Sequence, residues 1–318
     1  MKFHINILFV AFLGIACAAN AQPKKVQSLK VTILSTMLAD QGIGEWGFAA
    51  LVEFDGRKML FDTGARPETV LSNAAELDID LSGVTDVFIS HGHADHTGGL
   101  MTLRKNFSAR NPKALSVAHI GDGAFYPRPD NPEFTHFLTK LKTDYEVSGG
   151  RFQTYKSAEE IYPGVWITGP VPRVNDERNW SGNGKVARSN GQVTEDNVPE
   201  DQSLVFNTNE GLVIISGCGH AGVINTMEYA RKLAGPQPVT TLIGGFHLFN
   251  LSDEKMSWTI DKMKAYRVNT VFGAHCTGIN AMFAIQKNMS LDRHHAVVAA
   301  VGASYELGKG ISPGEVAK

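Results

Sequence analysis

One short stretch of the sequence sets the expectation for the whole molecule: His91-Gly92-His93-Ala94-Asp95-His96-Thr97-Gly98-Gly99. It follows the apolar run Val84–Ser90, which has the pattern of a buried strand, and a helix is expected to begin at Thr97 or just after it. Three imidazoles and one carboxylate therefore lie on a single strand-to-helix turn. These side chains are the ligand types that hold Zn²⁺, Fe²⁺ or Mn²⁺ in proteins, so the stretch predicts a metal site.

Outward from this turn, the chain alternates strand-like and helix-like patterns. Strands are expected at Val31–Leu38, Phe48–Phe54, Met59–Phe61, Val84–Ser90, Val165–Thr168, Leu204–Asn207, Leu212–Ser216, Thr240–Ile243 and Thr270–Phe272. Helices are expected from Pro67 and near Gly222–Leu233, Asp253–Tyr266 and Ile279–Lys287. The alternation predicts an α/β fold of mixed sheets covered by helices.

The composition is that of an ordinary globular enzyme. The chain has 318 residues, 43% of them hydrophobic, and 30 basic residues stand against 32 acidic ones. A chain of this length can bury a full core. Binding of nucleic acid or of an anionic membrane would call for a basic stripe, and the sequence has none, so we expect a small-molecule substrate and no nucleic-acid partner. No pattern in the sequence indicates an oligomeric state.

The first 21 residues have the pattern of a secretory signal peptide. Lys2 is a positive start, Ile5–Cys17 is an apolar run, and Ala19-Asn20-Ala21 is a small-x-small cleavage pattern. We expect cleavage before Gln22, a mature domain over residues 22–318, and a periplasmic or secreted location without membrane insertion. N-terminal sequencing of the exported protein should find Gln22 first. A membrane anchor is disfavoured because the run is shorter than the roughly 20 residues that span a bilayer. A lipid anchor on Cys17 is a minor alternative.

Two cysteines remain in the mature chain, Cys218 and Cys276. A protein of this size folds on its hydrophobic core without a disulfide framework, and a single disulfide between the two is one alternative. Both cysteines lie beside histidines in glycine-rich turns. This context favours a place near the metal site over a disulfide.

The turn resembles the His-x-His-x-Asp-His signature of the metallo-β-lactamase superfamily. Upstream, Phe61-Asp62-Thr63-Gly64 resembles the Asp-x-Gly strand end of that fold, in which the aspartate is a structural support. The resemblance extends over the whole mature chain. It implies an αββα sandwich, with two mixed β-sheets at the centre and helices on their outer faces.

Later motifs resemble a narrower prokaryotic subgroup of metallo-hydrolases, labelled 7,8-dihydropterin-6-methyl-4-(β-D-ribofuranosyl)-aminobenzene-5'-phosphate synthase-like. They are Thr168–Arg173, Glu195–Leu204 around Asp201-Gln202-Ser203-Leu204, Ser216–Gly222, Gly244–Leu248 and His275–Gly278, in that order. The label is a poor guide to the substrate. A step of tetrahydromethanopterin synthesis would be cytosolic, whereas this chain is expected to be exported.

The resemblance implies two divalent metal ions, with zinc expected and manganese or iron as alternatives. The first ion takes two histidines of the turn and a later histidine. The second ion takes the aspartate and the last histidine of the turn together with a C-terminal histidine. His275 matches the C-terminal histidine, and His220 is the candidate for the later one. The implied ligands are therefore His91, His93, Asp95, His96, His220 and His275.

The middle of the predicted site departs from the superfamily pattern. The usual Gly-His-x-x-Gly turn before Leu204–Asn207 is missing, and Pro199-Glu200-Asp201 stands in its place. Cys218 falls where the bridging aspartate of the superfamily normally lies. Two interpretations follow: either His220 binds metal and Cys218 packs in the turn, or Cys218 binds metal and His220 supports it. We prefer His220, because hydrolytic sites favour N and O ligands.

Further side chains are candidates for contact with the substrate. We expect His247 to act beside the metal ions, with a hydrogen-bonded core histidine as the alternative. Arg173 and Trp180 lie in a long polar segment over residues 170–201. A guanidinium grips phosphate or carboxylate and an indole covers an organic ring, whereas the alternative is a solvated surface loop. The predicted catalytic set is Asp95, His220 and His247.

The predicted reaction is metal-assisted hydrolysis of a small ester or phosphoester, in which a hydroxide held by two metal ions attacks the carbonyl or phosphoryl centre. Asp95 would bind metal and orient the nucleophile. The alternatives are a lactonase or β-lactamase acting on a cyclic ester or amide, a di-iron oxidoreductase, and a non-catalytic binding protein. The oxidoreductases usually carry a fused flavin or rubredoxin module, and the binding proteins lose the histidine-aspartate signature. Neither feature fits this chain.

Overall fold

The computed structural model describes Met1, residues 24–179 and residues 184–317. The expected signal sequence after Met1 and the candidate Trp180 lie outside the described residues, so both remain predictions. Within the described residues, no helix is both long enough and apolar enough to cross a lipid bilayer.

Strands and helices alternate along the described chain. The strands are β1 Leu29–Ser35, β2 Leu38–Ala39, β3 Ala49–Phe54, β4 Arg57–Phe61, β5 Asp86–Ile89, β6 Val117–Gly121, β7 Arg151–Tyr155, β8 Glu159–Tyr162, β9 Val165–Ile167, β10 Lys185–Ala187, β11 Val193–Glu195, β12 Ser203–Thr208, β13 Gly211–Ser216, β14 Val239–Gly244, β15 Thr270–Gly273, β16 Ala296–Val298, β17 Ala300–Val301, β18 Ser304–Glu306 and β19 Gly310–Ser312. The helices are α1 Thr69–Glu76, α2 Ala94–Thr97, α3 Leu100–Ser108, α4 Pro132–Val147, α5 Val223–Ala234, α6 Asp253–Ala265 and α7 Ile279–Met289, and 3₁₀ turns cover His275–Thr277 and Glu315–Ala317.

Most of these strands belong to two mixed sheets. Neighbouring strands follow the order β19-β18-β1-β3-β4-β5-β6-β7 in the first sheet and β16-β15-β14-β13-β12-β9-β8 in the second. In the first sheet β4 to β7 pair in parallel, and the strands on the other side pair antiparallel. In the second sheet β13 to β16 pair in parallel, and β8, β9 and β12 complete it antiparallel. The predicted pair of mixed sheets is confirmed.

Three clusters of buried side chains define the layers. The central cluster joins strands of both sheets and contains the fully buried rings of Phe61, Phe88, Phe206 and Phe272. A second cluster packs α1, α3 and α4 on the outer face of the first sheet, and a third packs α5, α6 and α7 on the outer face of the second. Burial of apolar area on both faces of each sheet stabilises this arrangement by roughly 25 cal/mol per Å². The predicted αββα sandwich is confirmed.

Helix α4 lies in a region for which no element is predicted, although its signals are in the sequence. Asn131 caps the helix by accepting a hydrogen bond from the Phe134 N–H at 3.0 Å, and Pro132 occupies the first helical position. Leu141 and Tyr145 are four residues apart and are buried against the first sheet. This helix brings the ring of Phe134 next to the predicted metal site.

Some predicted bounds are wrong close to the site. The first strand ends at Ser35 and not at Leu38, and α2 begins at Ala94, inside the signature, and not at Thr97. His93 is the extended N-cap residue of α2, so the helix starts between the predicted ligands. The polar segment 170–201 also contains a short hairpin, because β10 and β11 pair antiparallel.

The predicted metal ligands, together with Cys218 and His247, follow the carboxyl ends of parallel strands in both sheets. The signature follows β5, Cys218 and His220 follow β13, His247 follows β14, and His275 follows β15. In α/β folds this end of the sheet is where ligands bind. The topology therefore brings together residues that are up to about 180 positions apart in the chain.

Candidate metal centre

His91, His93 and His220 form a first group of potential metal ligands. One ring nitrogen from each lies within 4.8 Å of the other two, and Nε2 of His91 lies 3.0 Å from Nδ1 of His93. Nδ1 of His220 lies 2.7 Å from the carbonyl oxygen of Asn179, which fixes the ring. Its Nε2 is buried without a hydrogen-bond partner among the described residues. Because buried polar atoms normally have a partner, this nitrogen is suited to hold a ligand.

Asp95, His96 and His275 form a second group, again with ligand atoms within 4.8 Å of one another. Nε2 of His275 lies 3.3 Å from Oδ2 of Asp95, and Nε2 of His96 lies 3.9 Å from Oδ1 of the same carboxylate. Nδ1 of His96 lies 2.7 Å from Oδ2 of Asp62. That contact orients the ring and leaves Nε2 for a metal, which is the usual arrangement of a ligating histidine.

Both groups fit the spacing of metal ligands. Two donors bonded to one tetrahedral zinc ion stand roughly 3.3–3.7 Å apart, because the bonds are about 2.0–2.3 Å long. The separations of 3.0 Å in the first group and 3.3 Å in the second are close to that range. The structure thus collects all the predicted ligands into two groups that could bind divalent ions. Their roles as ligands stay a prediction.

Burial keeps the imidazoles of the first group uncharged. It lowers the pKa of His91 and of His220 well below the ordinary value, and the neighbouring histidines lower it further. A neutral imidazole has the lone pair that a metal ion requires. In the second group, burial opposes the charged form of His96, but the carboxylates of Asp95 and Asp62 outweigh it and raise its pKa to about 9. The two carboxylates thus create a negative field at this ring, and a cation that binds there has to displace the proton of His96.

Asp62 holds the signature turn in place. Besides His96, its carboxylate accepts hydrogen bonds from the N–H and the hydroxyl of Ser90, each at 2.7 Å. Asp62, His247 and His275 all have left-handed backbone, with φ of 52°, 51° and 46°. This conformation costs energy in residues other than glycine and concentrates at functional sites. The supporting role that the resemblance implies for Asp62 agrees with these contacts.

The segment Pro199-Glu200-Asp201 stands in place of the usual histidine turn, and it contacts the backbone of the turn that carries His220. Oδ2 of the fully buried Asp201 accepts a hydrogen bond from the Ala221 N–H at 2.9 Å, and the carboxylate also accepts one from the His220 N–H. Burial raises the pKa of Asp201 to about 6 in spite of these bonds. Glu200 forms a buried ion pair with Arg128, whose Nη2 lies 2.9 Å from each carboxylate oxygen. This segment positions the turn that carries His220.

The loop that fixes His220 is itself tied to helix α5. The carboxylate of Glu177 accepts hydrogen bonds from the N–H groups of Ile224 and Asn225, at 3.1 and 2.8 Å, and so caps the helix. Gly222 precedes the helix with a φ of 100°, and a Cβ there would lie 2.3 Å from Oε2 of Glu177. Only glycine permits this approach. The cap keeps the loop, and with it the carbonyl of Asn179, against the first ligand group.

Cys218 and Cys276 are buried free thiols, and their Sγ atoms are 3.2 Å apart. The alternative of a disulfide between them is therefore not realised in the structure. Sγ of Cys218 lies 3.1 Å from Nε2 of His96, and it also falls within ligand distance of His91. Both cysteines thus lie beside the predicted ligands His91, His96 and His275.

The remaining candidates have different surroundings. His247 is buried, and with Cys218 and His220 it forms another group of potential ligands. Arg173 donates from Nη2 to the carbonyl oxygens of Asn197 and of Val198, the latter at 3.0 Å, so its guanidinium braces the loop. These hydrogen bonds give Arg173 a structural role in the loop. A contact between Arg173 and the substrate remains a prediction.

Aromatic side chains that the sequence patterns do not single out surround the two groups. The half-exposed ring of Trp46 lies 4.8 Å from the ring of His275 and 5.6 Å from that of Phe249, measured between centroids. On the other side, the ring of Phe134 lies 5.8 Å from that of His93. Trp46 reaches the site only because its loop folds onto the signature. The sequence contains no local signal for this.

A cavity of about 300 Å³ opens beside His93. Its lining combines an aromatic ring, an amide, acidic groups and an exposed lysine: Arg128, Asp130, Asn131, Phe134, Gly184, Lys185 and Asp196 complete it. Arg128 is committed to Glu200 and to carbonyl oxygens, so its charge is already matched. Lys185 is the exposed cation of the lining. Its volume is at the lower end of the range of small-molecule sites, and its lining is mostly polar.

Sequence comparison finds relatives over most of the chain. Residues 47–275 match the profile of the metallo-β-lactamase superfamily. The chain is 30% identical over 284 residues to a Methanocaldococcus jannaschii protein named 7,8-dihydropterin-6-methyl-4-(β-D-ribofuranosyl)-aminobenzene-5'-phosphate synthase, and this alignment covers 86% of the chain and 96% of the relative. A second Methanocaldococcus jannaschii relative, an uncharacterized protein, is 28% identical over 236 residues, which is 74% of the chain and 85% of the relative.

Solved structures share the fold. The crystal structure of Tm1679, described as a metal-dependent hydrolase of the β-lactamase superfamily, superimposes with a TM-score of 0.62 at 28% identity, covering 81% of this chain and 92% of that one. The metallo-β-lactamase fold protein YhfI from Bacillus subtilis superimposes with a TM-score of 0.53 at 13% identity, covering 88% of this chain and 99% of that one. The second likeness concerns the fold alone.

Proposed function

This chain belongs to the metallo-β-lactamase superfamily, and from that premise we propose that it is a two-metal hydrolase of small ester or phosphoester substrates. The observation that carries the proposal is the pairing of two ligand groups, His91 with His93 and His220, and Asp95 with His96 and His275. When bound, two divalent ions would supply an activated water at neutral pH and would polarise the bond to be cleaved.

The protein side chains would hold and orient the reactants. Asp95 combines the functions of ligand and hydrogen-bond acceptor, because its carboxylate reaches both His96 and His275 and is only partly buried. Lys185 offers a positive charge to an anionic substrate in the cavity beside His93. Phe134 and Trp46 provide apolar walls on opposite sides of the site. His247 would assist from the side of His220, where their rings lie 4.7 Å apart.

The names of the relatives support a phosphorylated or ester substrate without identifying it. The Methanocaldococcus jannaschii relative is named as the synthase of an aminobenzene ribofuranosyl phosphate, and Tm1679 is described as a metal-dependent hydrolase. The first name supports a substrate that carries a phosphate group, and the second supports hydrolysis. We also propose that the reaction takes place outside the cytoplasm, on the basis of the signal-peptide pattern in residues 1–21.

The direct test is a hydrolysis screen on protein loaded with zinc, manganese or iron. Phosphomonoester, phosphodiester, lactone and β-lactam substrates are compared before and after treatment with a chelator. We expect turnover of a phosphoester or simple ester that the chelator abolishes and that added metal restores. Preference for the lactone or β-lactam would replace this proposal by its alternative, and failure to hydrolyse any of the four classes would contradict it.

Lys185→Ala tests the substrate side of the proposal. Hydrogen bonds to charged groups contribute roughly 1.5–3 kcal/mol, so loss of this cation should raise KM for an anionic substrate about 10- to 100-fold, with a smaller effect on kcat. Lys113→Ala is the matched control, because Lys113 is equally exposed but precedes the amino end of β6. Steady-state kinetics should show a raised KM in Lys185→Ala and an unchanged KM in Lys113→Ala. Equal KM values would show that Lys185 does not contact the substrate.

A further inference from the structure

An apolar strip of exposed side chains, Trp46, Phe249, Ile279 and Phe283, begins at the second ligand group. The ring of Trp46 lies 4.8 Å from the ring of His275 and 5.6 Å from that of Phe249, measured between centroids. Trp46 is 48% exposed and Phe249 is 46% exposed, although burial of a large aromatic side chain is favourable. We propose that the apolar strip binds an unbranched alkyl chain of the substrate while the ester or phosphoester group lies at the metal centre. This inference rests on the proposed hydrolytic function and names its substrate class.

Phe249 connects the metal centre to helix α7. Its N–H donates to the carbonyl oxygen of Cys276 at 3.4 Å, in the turn that begins at His275. A Cβ on Gly278 would lie 2.6 Å from Cβ of Phe249, and Gly278 has a φ of 80°, so this close contact requires glycine. The next residue, Ile279, is the first of α7 and is 43% exposed. The apolar strip therefore continues from the ligand group onto the helix.

A groove of about 370 Å³ lies along α7 at the far end of the apolar strip. Ile279 and Phe283 both line the groove, and they share one side of the helix because they are four residues apart. Leu38 lines it from β2, and Val316 lines it from the last 3₁₀ turn. Phe283 and Val316 are 61% and 56% exposed. The groove thus extends the apolar surface away from the metal centre.

The polar groups of this groove do not prepare it for a charged ligand. Its polar side chains are Gln286 and Arg293, and none of the described lining residues is acidic. Nε2 of Gln286 donates to the carbonyl oxygen of Ala296 at 3.4 Å, so this amide already has a partner. Arg293 is exposed to solvent on the turn before β16. The groove therefore offers mainly apolar contacts.

The shape of the apolar strip favours a chain over a planar ring or a protein partner. The rings of Trp46 and Phe249 meet at 80°, so they do not form two parallel faces between which a planar ring would stack. A stable interface between proteins takes about 20–30 residues a side. The groove, at about 370 Å³, is instead at the lower end of the range of small-molecule sites. A flexible alkyl chain can follow the strip from the metal centre to the groove.

Trp46 is fixed by its neighbour before any ligand binds. The carboxylate of Glu45, which is 5% exposed, accepts a hydrogen bond from the hydroxyl of Ser35 at 2.7 Å. It also accepts hydrogen bonds from the N–H groups of Ala65 and Arg66, at 2.8 and 3.0 Å. These bonds hold the loop that carries Trp46 against the signature turn. A surface that is already ordered loses less conformational entropy when it binds a ligand.

The kinetic test compares two matched pairs of substrates on the metal-loaded mature chain. They are p-nitrophenyl acetate with p-nitrophenyl octanoate, and p-nitrophenyl methyl phosphate with p-nitrophenyl octyl phosphate, so that only the chain differs within a pair. Burial of each methylene group favours binding roughly fourfold. In the pair that is hydrolysed, kcat/KM should therefore be at least about 10-fold higher for the long chain.

Glutamine substitutions locate the chain-binding surface. Phe283→Gln and Ile279→Gln should each lower the preference for the long chain at least about threefold, because each removes apolar contact area. Both side chains are exposed on a helix, and glutamine is a good helix former, so the variants should fold. Val147→Gln is the matched control. Val147 is 83% exposed at the end of α4, outside the apolar strip, and its replacement should leave the preference unchanged.

Binding of decanoate gives a readout that does not depend on hydrolysis. Isothermal titration calorimetry of the metal-loaded chain should show decanoate binding more tightly than acetate, which has the same head group, and with a negative heat-capacity change. Phe283→Gln should weaken the binding of decanoate at least about threefold. Val147→Gln should not change it. Decanoate binding with this dependence on Phe283, in a protein that hydrolyses none of the four substrates, would support the alkyl-binding surface and contradict the proposed hydrolysis.

Other results would overturn the alkyl-binding surface. One is an equal kcat/KM for the short and the long chain in the pair that is hydrolysed. Another is a preference for the long chain that Phe283→Gln and Ile279→Gln leave as high as Val147→Gln does. Binding to phosphatidylcholine vesicles that Phe283→Gln abolishes, without tighter binding of decanoate than of acetate, would assign the apolar strip to a membrane surface. A dimer that Phe283→Gln dissociates would assign it to a second copy of the chain.

Discussion

His93→Ala and Asp95→Ala should each lower the metal content and abolish hydrolysis while the chain stays folded. His93 supplies one of three protein donors to the first group, and Asp95 supplies one of three to the second. Both side chains are only partly buried, so their removal opens no large cavity in the core. Metal analysis by mass spectrometry, circular dichroism and the rate of hydrolysis measure the three expectations on the same samples.

His294→Ala is the matched control for these two variants. His294 is exposed on the turn before β16, away from both ligand groups. Its replacement should leave metal content and turnover unchanged. Full metal occupancy and normal turnover in His93→Ala or in Asp95→Ala would show that the ligand assignment is wrong.

Arg128→Ala should destabilise the fold by about 3–5 kcal/mol, because removal of one partner of a buried ion pair leaves the other charge uncompensated. The carboxylate of Glu200 is fully buried, and its two oxygens each lie 2.9 Å from Nη2 of Arg128. Nη1 of Arg128 also donates to the carbonyl oxygens of Gly123, Ala124 and Tyr126. Urea unfolding followed by circular dichroism measures the loss.

Arg110→Ala is the matched control for the buried pair. Arg110 and Asp80 form an ion pair of 2.7 Å in which both side chains are 58% exposed. Exposed pairs contribute about 0–1 kcal/mol, so this variant should unfold almost as the unaltered protein does. If both arginine variants lower the free energy of unfolding by the same small amount, the ion pair between Arg128 and Glu200 does not contribute the stability assigned to it.

The ligands that are contiguous in the sequence could be predicted, because the signature concentrates them on one turn. His275 and His220 could be proposed only through the family resemblance, since nothing in their local sequence links them to the turn. Their grouping depends on how β13 and β15 align with β5 across two sheets. Sequence spacing alone does not contain that alignment.

Contacts between distant segments account for what the sequence does not reveal. Arg128 and Glu200 are 72 positions apart, and Arg128 lies in none of the motifs that the sequence indicates. Trp46 reaches His275 because a loop folds over the site. The role of Cys218 could be posed as a question from its place after a strand. In the structure the sulfur of Cys218 and the imidazole of His220 fall in different candidate sets with His91 and in a common one with His247, so both interpretations of the sequence stay predictions.

Anomalous X-ray diffraction at the absorption edge of the bound metal tests the central claim most directly. The account predicts two anomalous peaks per chain, one bounded by His91, His93 and His220 and the other by Asp95, His96 and His275. A single peak, a peak outside these two groups, or no peak in protein supplied with zinc, manganese and iron would contradict it.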